Sequence, residues 1–345
     1  MGTRWGILGT GFIAELFVND LLHDGHQVVA VGSRSEATAR AFADKFGIAK
    51  AHVGYETLCN DLGVDAVYVA SPNPFHAEHA LLALRAGKHV LLEKPFTMTT
   101  DAARTVIDEA ADRNLVVMEA MWTRFLPHMV RAREVIAAGT IGDLRSLEAD
   151  LSQAFAPDPE HRLNNLALGG GALFDLGVYA VSLAVDILGL PQQWHAVVSP
   201  SPTGVDAQAS IVLGFDGGSQ SILHVGIDHR GPMTASILGT TGRIDIDYAW
   251  HRSSSLSVFG NGGALVERFE PVVEQRGMQF EARAFDALIA GGKLDNAIMP
   301  HDHTLAVLEV VTDIRDRWLR ELPGSALAGA DFGAKAGNGA KKGDS

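Results

Sequence analysis

The chain has 345 residues, of which 47% are hydrophobic and 20% charged, and its formal net charge is −13. This length allows two domains with proper cores, and the negative charge argues against binding nucleic acid or an anionic membrane surface, which require a basic face. The single cysteine, Cys59, excludes an intramolecular disulfide and a cysteine-rich zinc site, and we expect it in or near the core. These features are typical of a cytoplasmic globular protein.

A glycine-rich motif lies between the first predicted strand and the first predicted helix. Residues 9–14 read Gly-Thr-Gly-Phe-Ile-Ala, a G-x-G-x-x-A pattern. In this pattern Gly9 allows a tight turn, Gly11 lets a pyrophosphate approach the backbone, and Ala14 lets the helix pack closely on the strand. An ordinary glycine-rich turn is the alternative. The predicted cofactor-binding residues of this turn are Gly9, Thr10, Gly11, Phe12 and Ile13.

The end of the second predicted strand indicates which cofactor is bound. Rossmann folds that prefer NAD usually carry an acidic residue there, which hydrogen-bonds the ribose 2′-hydroxyl. Here the strand ends in Ser33 and Arg34, and the first carboxylate is Glu36. Because a guanidinium matches phosphate geometry, we expect NADP rather than NAD, with Ser33 and Arg34 near the 2′-phosphate. The alternative is that Arg34 is only a solvated loop charge.

Up to about residue 121, strand and helix patterns alternate. The predicted strands cover residues 28–31, 66–70, 90–92 and 115–118, and the predicted helices cover residues 36–46, 75–86 and 100–113. This alternation predicts an α/β domain at 1–121, a Rossmann doubly wound parallel sheet covered on both faces.

After residue 121 the pattern changes. A predicted helix at 129–138 and a strand at 144–150 precede a glycine triplet at 169–171 and a long apolar helix that ends near residue 189. Further strands at 209–213, 221–227, 235–238 and 244–247 have no helices between them, and helices at 279–289 and 304–319 follow. We expect a C-terminal α+β domain at 122–322 with an open, mainly antiparallel sheet, used for substrate binding and oligomerisation. The tail at 323–345, rich in Gly, Ala and Lys, is expected to be flexible.

Three further segments carry polar residues where α/β folds bind ligands. Residues 71–76 and 89–95 both follow or include buried strands, whose carboxyl ends lie at the ligand-binding edge of the sheet. In the third segment, Asp175 and Tyr179 are four residues apart on an apolar helix and therefore project from one face. Polar groups on an apolar helix need partners, which a substrate pocket can supply.

These segments together resemble the glucose–fructose oxidoreductase / inositol dehydrogenase family of two-domain oxidoreductases. The resemblance covers the chain to about residue 320. It rests on Gly9 to Ala14, on Ser-Pro-Asn-Pro-Phe-His at 71–76, on Glu93-Lys94-Pro95 and on the segment from the glycine triplet to Tyr179. The branch that it resembles most is that of the dimeric dihydrodiol dehydrogenases and NADP-dependent D-xylose dehydrogenases. Inositol dehydrogenases typically have histidine where Tyr179 stands.

The resemblance implies hydride transfer between nicotinamide and a sugar or cyclic diol, with Tyr179 as the general acid or base. A tyrosine has a pKa of about 10, and we expect the ammonium of Lys94 to lower it. Asp175 would position the substrate or Lys94. By family position, the further cofactor-binding residues are Ser71, Asn73, His76, Glu93, Lys94, Trp122 and Arg124. The substrate-binding residues are His76, Trp122, Phe155, Asp175, Tyr179 and Trp250, with Phe125 equally well explained as core.

Two other functions remain open at this point. One is a non-catalytic protein that senses NADP, and the other is a hydrolase that holds the cofactor tightly and recycles it. No metal site is expected, because neither His76 and His79 nor His301 and His303 have a third ligand at plausible spacing. Since the open face of the second sheet needs cover, we expect a homo-oligomer, with a dimer as the simplest form.

Overall fold

The structure is a computed structural model that describes residues 2–321. Its first sheet has six strands in the order β3-β2-β1-β4-β5-β6, all parallel. This strand order confirms the predicted Rossmann domain. The strands are β1 Arg4–Leu8, β2 Gln27–Ser33, β3 Lys50–Val53, β4 Ala66–Val69, β5 His89–Glu93 and β6 Val117–Ala120. The helices are α1 Phe12–His23, α2 Glu36–Phe46, α3 Tyr55–Cys59, α4 His76–Arg85 and α5 Thr100–Asp112.

Local sequence explains where these helices begin and end. Ser35 caps α2 by accepting the N–H of Thr38, and Gly47 ends it with a φ of 68°. Thr99 caps α5 in the same way by accepting the N–H of Ala102. By contrast, α1 starts at Gly11 without any side-chain cap. Its first N–H groups are therefore left for another acceptor.

The second sheet has eight strands in the order β14-β13-β12-β11-β7-β10-β9-β8. Neighbouring strands are antiparallel except for the parallel pair of β7 and β10, so the predicted mainly antiparallel sheet is confirmed. The strands are β7 Leu144–Ser152, β8 Pro191–Pro200, β9 Asp206–Phe215, β10 Gln220–Gly226, β11 Ala235–Gly239, β12 Gly242–Ile246, β13 Leu256–Gly260 and β14 Leu265–Phe269. The helices are α6 Pro127–Ala137, α7 Val178–Leu188, α8 Gln279–Gly291 and α9 His301–Glu321.

One face of the second sheet is covered and the other is open. On the covered face Leu147, Ile211 and Leu223 are fully buried in a core that also contains α7. On the other face Val212 is 43% and Ile222 54% exposed. The alternation follows from the period of two residues in a strand.

The two C-terminal helices return to the Rossmann domain. Asp20 of α1 accepts the N–H groups of Gly277 and Met278, both at 2.8 Å, just before α8. The Thr304 hydroxyl of α9 donates to Glu119 at the end of β6, at 2.9 Å. The two sheets therefore lie on either side of the predicted boundary between residues 121 and 122. The last two helices, however, contact both domains. The predicted tail at 323–345 lies outside the described residues.

One helical stretch, Leu166–Leu188, is long and apolar enough to span a membrane, but 83% of its apolar window is buried inside the protein. Its packing is that of a core helix. Cys59 is also buried, and burial raises the pKa of its thiol to about 12. Within residues 2–321 no group of three or more His, Cys, Asp or Glu side chains could hold a metal ion.

Candidate active site

The turn between β1 and α1 has the backbone that its glycines predict. Gly9 has a φ of 108°, and a Cβ there would lie 2.8 Å from the carbonyl oxygen of Ala70. A Cβ at Gly11 would meet no atom of the described residues within 4 Å. Gly11 therefore leaves room beside the uncapped start of α1, which suits a phosphate. Phe12, the first residue of the helix, is 73% exposed.

The end of β2 presents hydroxyls and a guanidinium. The Ser33 hydroxyl lies 2.6 Å from the Thr38 hydroxyl and 3.4 Å from that of Thr10. Arg34 is exposed, and no residue of the described chain forms an ion pair with it. This edge of the sheet therefore offers hydroxyls and a free positive charge to an anion.

At the carboxyl end of β5, Lys94 meets two side chains of the second domain. The Lys94 Nζ donates to the Asp175 carbonyl oxygen at 2.9 Å and lies 3.4 Å from its carboxylate Oδ1. The same Nζ lies 4.5 Å from the centroid of the Tyr179 ring. The Tyr179 hydroxyl accepts the indole N–H of Trp122 at 3.0 Å. Residues from distant segments of the chain thus converge at one point.

The helix that carries Asp175 and Tyr179 differs from the predicted regular one. Residues Leu173–Gly177 form a turn of π-helix, and α7 continues from Val178. Such turns often occur at functional sites. Asp175 and Tyr179 are therefore not related by a regular α-helical turn, and Lys94 contacts both of them across the domain boundary.

The charges of the three side chains follow from their surroundings. Burial disfavours the ammonium of Lys94, but the acidic side chains around it, Asp175 first among them, together outweigh this and raise its pKa. Burial likewise opposes the charge on Asp175, yet Lys94 and Arg162 hold its pKa below the usual value. Burial raises the pKa of Tyr179, and the lowering effect of Lys94 does not overcome it. The expected net lowering by Lys94 is wrong for this structure, since sequence cannot measure burial.

A second buried pair lies behind Lys94. The Glu93 carboxylate accepts the hydroxyl of Tyr68 and the backbone N–H of Lys94, the latter at 3.0 Å. Glu93 is 4% exposed and Tyr68 is fully buried, and burial raises the pKa of both. Glu93 therefore fixes the backbone of Lys94 from inside the sheet.

Comparison with known proteins matches both domains to one family. Residues 3–121 match the oxidoreductase family with an NAD-binding Rossmann fold, GFO/IDH/MocA, and residues 129–245 match its C-terminal domain. The chain belongs to this oxidoreductase family. The resemblance found from the sequence motifs is thereby confirmed.

Curated relatives within the family include dehydrogenases. The trans-1,2-dihydrobenzene-1,2-diol dehydrogenase of Mus musculus is 38% identical over 72% of this chain and 76% of its own length. The Homo sapiens enzyme of the same name is 32% identical over 91% of this chain and 96% of its own length.

Solved structures have the same architecture. A 3-ketoreductase from Actinomadura kijaniata, in complex with NADP and TDP-benzene, is 27% identical with a TM-score of 0.80, over 91% of this chain and 97% of its own. An aldose–aldose oxidoreductase from Caulobacter crescentus has a TM-score of 0.82 at 24% identity, over 91% and 96% of the two chains, and supports the fold.

Of the other predicted residues of this GFO/IDH/MocA protein, Trp122 touches Tyr179, and the rest lie in or against the core. Trp122 is 1% exposed and reaches Tyr179 through its N–H. Trp250 is also 1% exposed, and its indole N–H donates to the Asp150 carbonyl at 2.8 Å. Phe155 is half-buried against the core. Phe125 is 4% exposed and belongs to that core.

Two predicted cofactor-binding residues, Ser71 and Asn73, follow β4, the strand next to β1. Ser71 follows β4 and is 7% exposed, and its buried hydroxyl has no partner within residues 2–321. Asn73 is half-buried in the turn that follows. Both lie near Gly9, whose backbone packs on the Ala70–Ser71 bond.

Two of the predicted cofactor-binding residues, His76 and Arg124, are buried among protein groups. His76 is 1% exposed, and its two ring nitrogens lie 2.7 Å and 2.8 Å from the carbonyls of Pro95 and Ser71. Arg124 is 2% exposed, and its guanidinium donates to the Ser182 hydroxyl, the Ser182 carbonyl and the Ile298 carbonyl and contacts His303. His76 and Arg124 therefore hold loops around the site, and their contacts with cofactor or substrate stay predictions.

Three residues near Tyr179 were not found from the sequence. Arg162 donates to Asp175 at 3.0 Å. The ring centroid of His251 lies 5.9 Å from that of Tyr179, and the guanidinium of Arg276 lies 5.1 Å from the Trp122 ring centroid. No motif marks these positions, since long connections bring them to the site. The adjacency of His251 to Trp250 was the one available signal.

Proposed function

We propose that this chain is an NADP-dependent dehydrogenase or reductase acting on CH–OH groups. It would transfer a hydride between nicotinamide and a sugar or cyclic diol or ketone. The observation that carries the proposal is the convergence of Lys94, Asp175 and Tyr179 at the edge of the sheet that also holds the glycine turn. Membership of the oxidoreductase family supports the same reaction type.

The cofactor assignment rests on the turn and on the end of β2. The start of α1, with its uncapped N–H groups and the open space at Gly11, suits the pyrophosphate. Arg34, exposed and unpaired within the described residues, suits a 2′-phosphate, and the related 3-ketoreductase was solved with NADP. When bound, the cofactor accepts or donates the hydride at its nicotinamide ring. We expect Arg34→Ala to raise KM for NADP by about tenfold and to leave KM for NAD nearly unchanged.

The proton is handled by this chain's own side chains. Because burial raises the pKa of Tyr179, its phenol is protonated at neutral pH and is ready to donate to the oxygen of a ketone being reduced. In the reverse direction the phenolate must form, and the ammonium of Lys94 over the ring stabilises it. Asp175 holds Lys94 charged and in place through two contacts.

The substrate class follows from the pocket and from relatives. Trp122, whose N–H binds the Tyr179 hydroxyl, places an aromatic side chain next to the reacting group, which suits a sugar or a cyclic diol. The related mouse and human enzymes are named for a dihydrobenzene diol, and the Actinomadura enzyme is a 3-ketoreductase. A screen of NADP⁺ reduction over aldoses, inositols and trans-dihydrodiols would identify the substrate.

Replacing Tyr179 by phenylalanine tests the mechanism. The variant keeps the ring under Lys94 and loses only the acidic proton. We expect kcat to fall by at least about a hundredfold, the usual share of general acid–base catalysis, with NADP affinity retained. Tyr248→Phe, at a tyrosine that is 53% exposed, is the matched control. Near-normal turnover of Tyr179→Phe would remove the tyrosine from the mechanism.

We also propose a homodimer through the open face of the second sheet. Val197 on the edge strand β8 is 75% exposed, and Ile222 in the middle of the same face is 54% exposed. An open sheet face with exposed apolar side chains is commonly covered by a partner. Light scattering should give twice the mass of one chain, and Ile222→Lys should lower it. A monomeric wild-type protein would contradict this.

A further inference from the structure

The guanidinium of Arg276 lies beside the reacting tyrosine without a carboxylate partner. Its Cζ is 5.1 Å from the ring centroid of Trp122, whose N–H binds the Tyr179 hydroxyl. Its Nε is buried and has no hydrogen-bond acceptor within residues 2–321. No ion pair joins Arg276 to any described residue. A partly buried positive charge without a partner is costly, so a ligand that supplies the partner is favoured.

The acidic groups near Arg276 are already used. The Asp20 carboxylate accepts the backbone N–H of Arg276 at 3.3 Å and those of the next two residues at 2.8 Å. Asp175 binds Lys94 and Arg162. Glu93 accepts the Tyr68 hydroxyl and a backbone N–H. These three carboxylates therefore stabilise other groups, and the guanidinium of Arg276 stays available.

His251 adds a second unused donor at the same place. The Arg252 Nε–H donates to the His251 Nε2 at 3.2 Å, which makes that nitrogen an acceptor. Burial lowers the pKa of His251 to about 3, so the ring is neutral and carries its proton on Nδ1. This Nδ1 is buried and has no partner within the described part of the chain. The ring is 3% exposed, and its centroid lies 5.9 Å from that of Tyr179.

Together these groups place positive charge around the buried ring of His251. Lys94, Arg276 and the exposed Arg252 all act on the charge of His251 in the same direction. An anionic group in the pocket would accept from both the guanidinium and the imidazole N–H. The planar fork of a guanidinium fits a carboxylate through two parallel hydrogen bonds.

We propose that the substrate carries a carboxylate, which Arg276 binds with His251 as a second donor, next to the hydroxyl or keto group that reacts at Tyr179. This inference rests on the proposed hydride transfer. It narrows the proposed substrate class from sugars or cyclic diols in general to hydroxy acids of similar size, such as uronic acids. The reaction itself is unchanged: the alcohol carbon would lose a hydride to the bound cofactor, and its hydroxyl proton would go to the phenolate of Tyr179.

Paired sugars test the inference through kinetics. D-glucuronate and D-glucose, and likewise D-galacturonate and D-galactose, differ only in a carboxylate in place of a CH₂OH group. We expect kcat/KM to be at least about tenfold higher for each uronate, the effect of one charge-assisted contact. Arg276→Met keeps the packing on Trp122, and we expect it to lower the ratio of the two kcat/KM values at least about tenfold.

Arg283→Met is the matched control. Arg283 lies on α8, shortly after Arg276. Its Cζ is also close to an aromatic ring, 5.4 Å from the ring centroid of Phe280. Unlike Arg276, it forms an ion pair, with Asp24. We expect Arg283→Met to leave the ratio of uronate to neutral sugar unchanged. A fall in the ratio as large as that of Arg276→Met would show a general charge effect and overturn the proposal.

Calorimetric titration separates this inference from the proposed reaction. With NADP⁺ bound, the wild-type protein should bind D-glucuronate at least about tenfold more tightly than D-glucose, and Arg276→Met should abolish the difference. If this difference in binding is found but none of the four sugars is oxidised, the carboxylate site is supported and the proposed oxidation of these sugars is wrong. If the neutral sugars are oxidised and the uronates are neither preferred nor bound more tightly, the carboxylate site is wrong and the reaction stands. Tighter binding of D-glucose 6-phosphate than of D-glucuronate would also overturn it.

Discussion

Two glycine-rich turns each precede a helix, one at residues 9–11 and one at residues 169–171. At the first turn, a Cβ on Gly11 would meet no described atom within 4 Å. At the second, a Cβ on Gly171 would overlap the carboxyl group of Asp206. The same residue type thus leaves space at one helix start and lets a protein side chain approach closely at the other.

The difference lies in what satisfies the N–H groups of each helix. The Asp206 Oδ2 accepts the N–H of Leu173 at 2.5 Å, at the start of the helical segment that carries Asp175 and Tyr179. No side chain caps α1 after Gly11. The second turn therefore holds the helical segment of Asp175 and Tyr179 through Asp206, and the first is suited to an external anion. A glycine pattern alone does not distinguish these roles, because the deciding residue lies far away in sequence.

Gly171→Ala should have the largest effect. Gly171 has a φ of 117°, and the added Cβ would overlap Asp206. We expect a loss of about 2 kcal/mol or more and a fall of about 5 °C or more in Tm, measured by differential scanning calorimetry. Gly189→Ala is the control, because its φ is 88° but a Cβ there would meet nothing within 4 Å. Equal falls in Tm for the two variants would mean that the overlap with Asp206 does not matter.

Gly11→Ala should affect the cofactor and not the fold. The φ of Gly11 is −80°, which alanine adopts freely, and there is space for its Cβ. We expect the Tm of the protein without cofactor to change little, while Kd for NADP rises by about tenfold or more, the effect of losing one charge-assisted contact. Calorimetric titration measures the Kd. An unchanged Kd would show that the pyrophosphate does not bind at this turn.

The sequence predicted the elements of the two domains to different extents. In the Rossmann domain every predicted strand and helix is present, because buried parallel strands are continuous apolar runs. The missed elements were β3, which is mostly exposed, and the five-residue α3, neither of which has a clear hydrophobic period. In the second domain β8, β13 and β14 were not assigned, and β8 and β14 contain no buried residue.

The site was predicted only in part. Lys94, Asp175 and Tyr179 carry family motifs and do lie together. His76 and Arg124 also carry motifs, and the contacts of their side chains with the surrounding loops could not be read from the sequence. The direction of the Tyr179 pKa and the places of Arg276 and His251 depend on burial and long-range packing. These quantities have no local pattern in the sequence.

Asp206→Asn should give an effect that is seen only as a change with pH. Burial raises the pKa of Asp206 from 3.8 to about 7, so between these values the folded protein holds a proton that the unfolded chain releases. The stability from this proton is full at low pH and is lost as pH rises through about 7. The asparagine side chain of the variant does not titrate, whereas the other buried carboxyls, such as Glu119, remain in both proteins and cancel in the comparison. The Tm of the wild type minus that of Asp206→Asn should therefore fall between about pH 5 and about pH 8, and a constant difference would contradict the raised pKa.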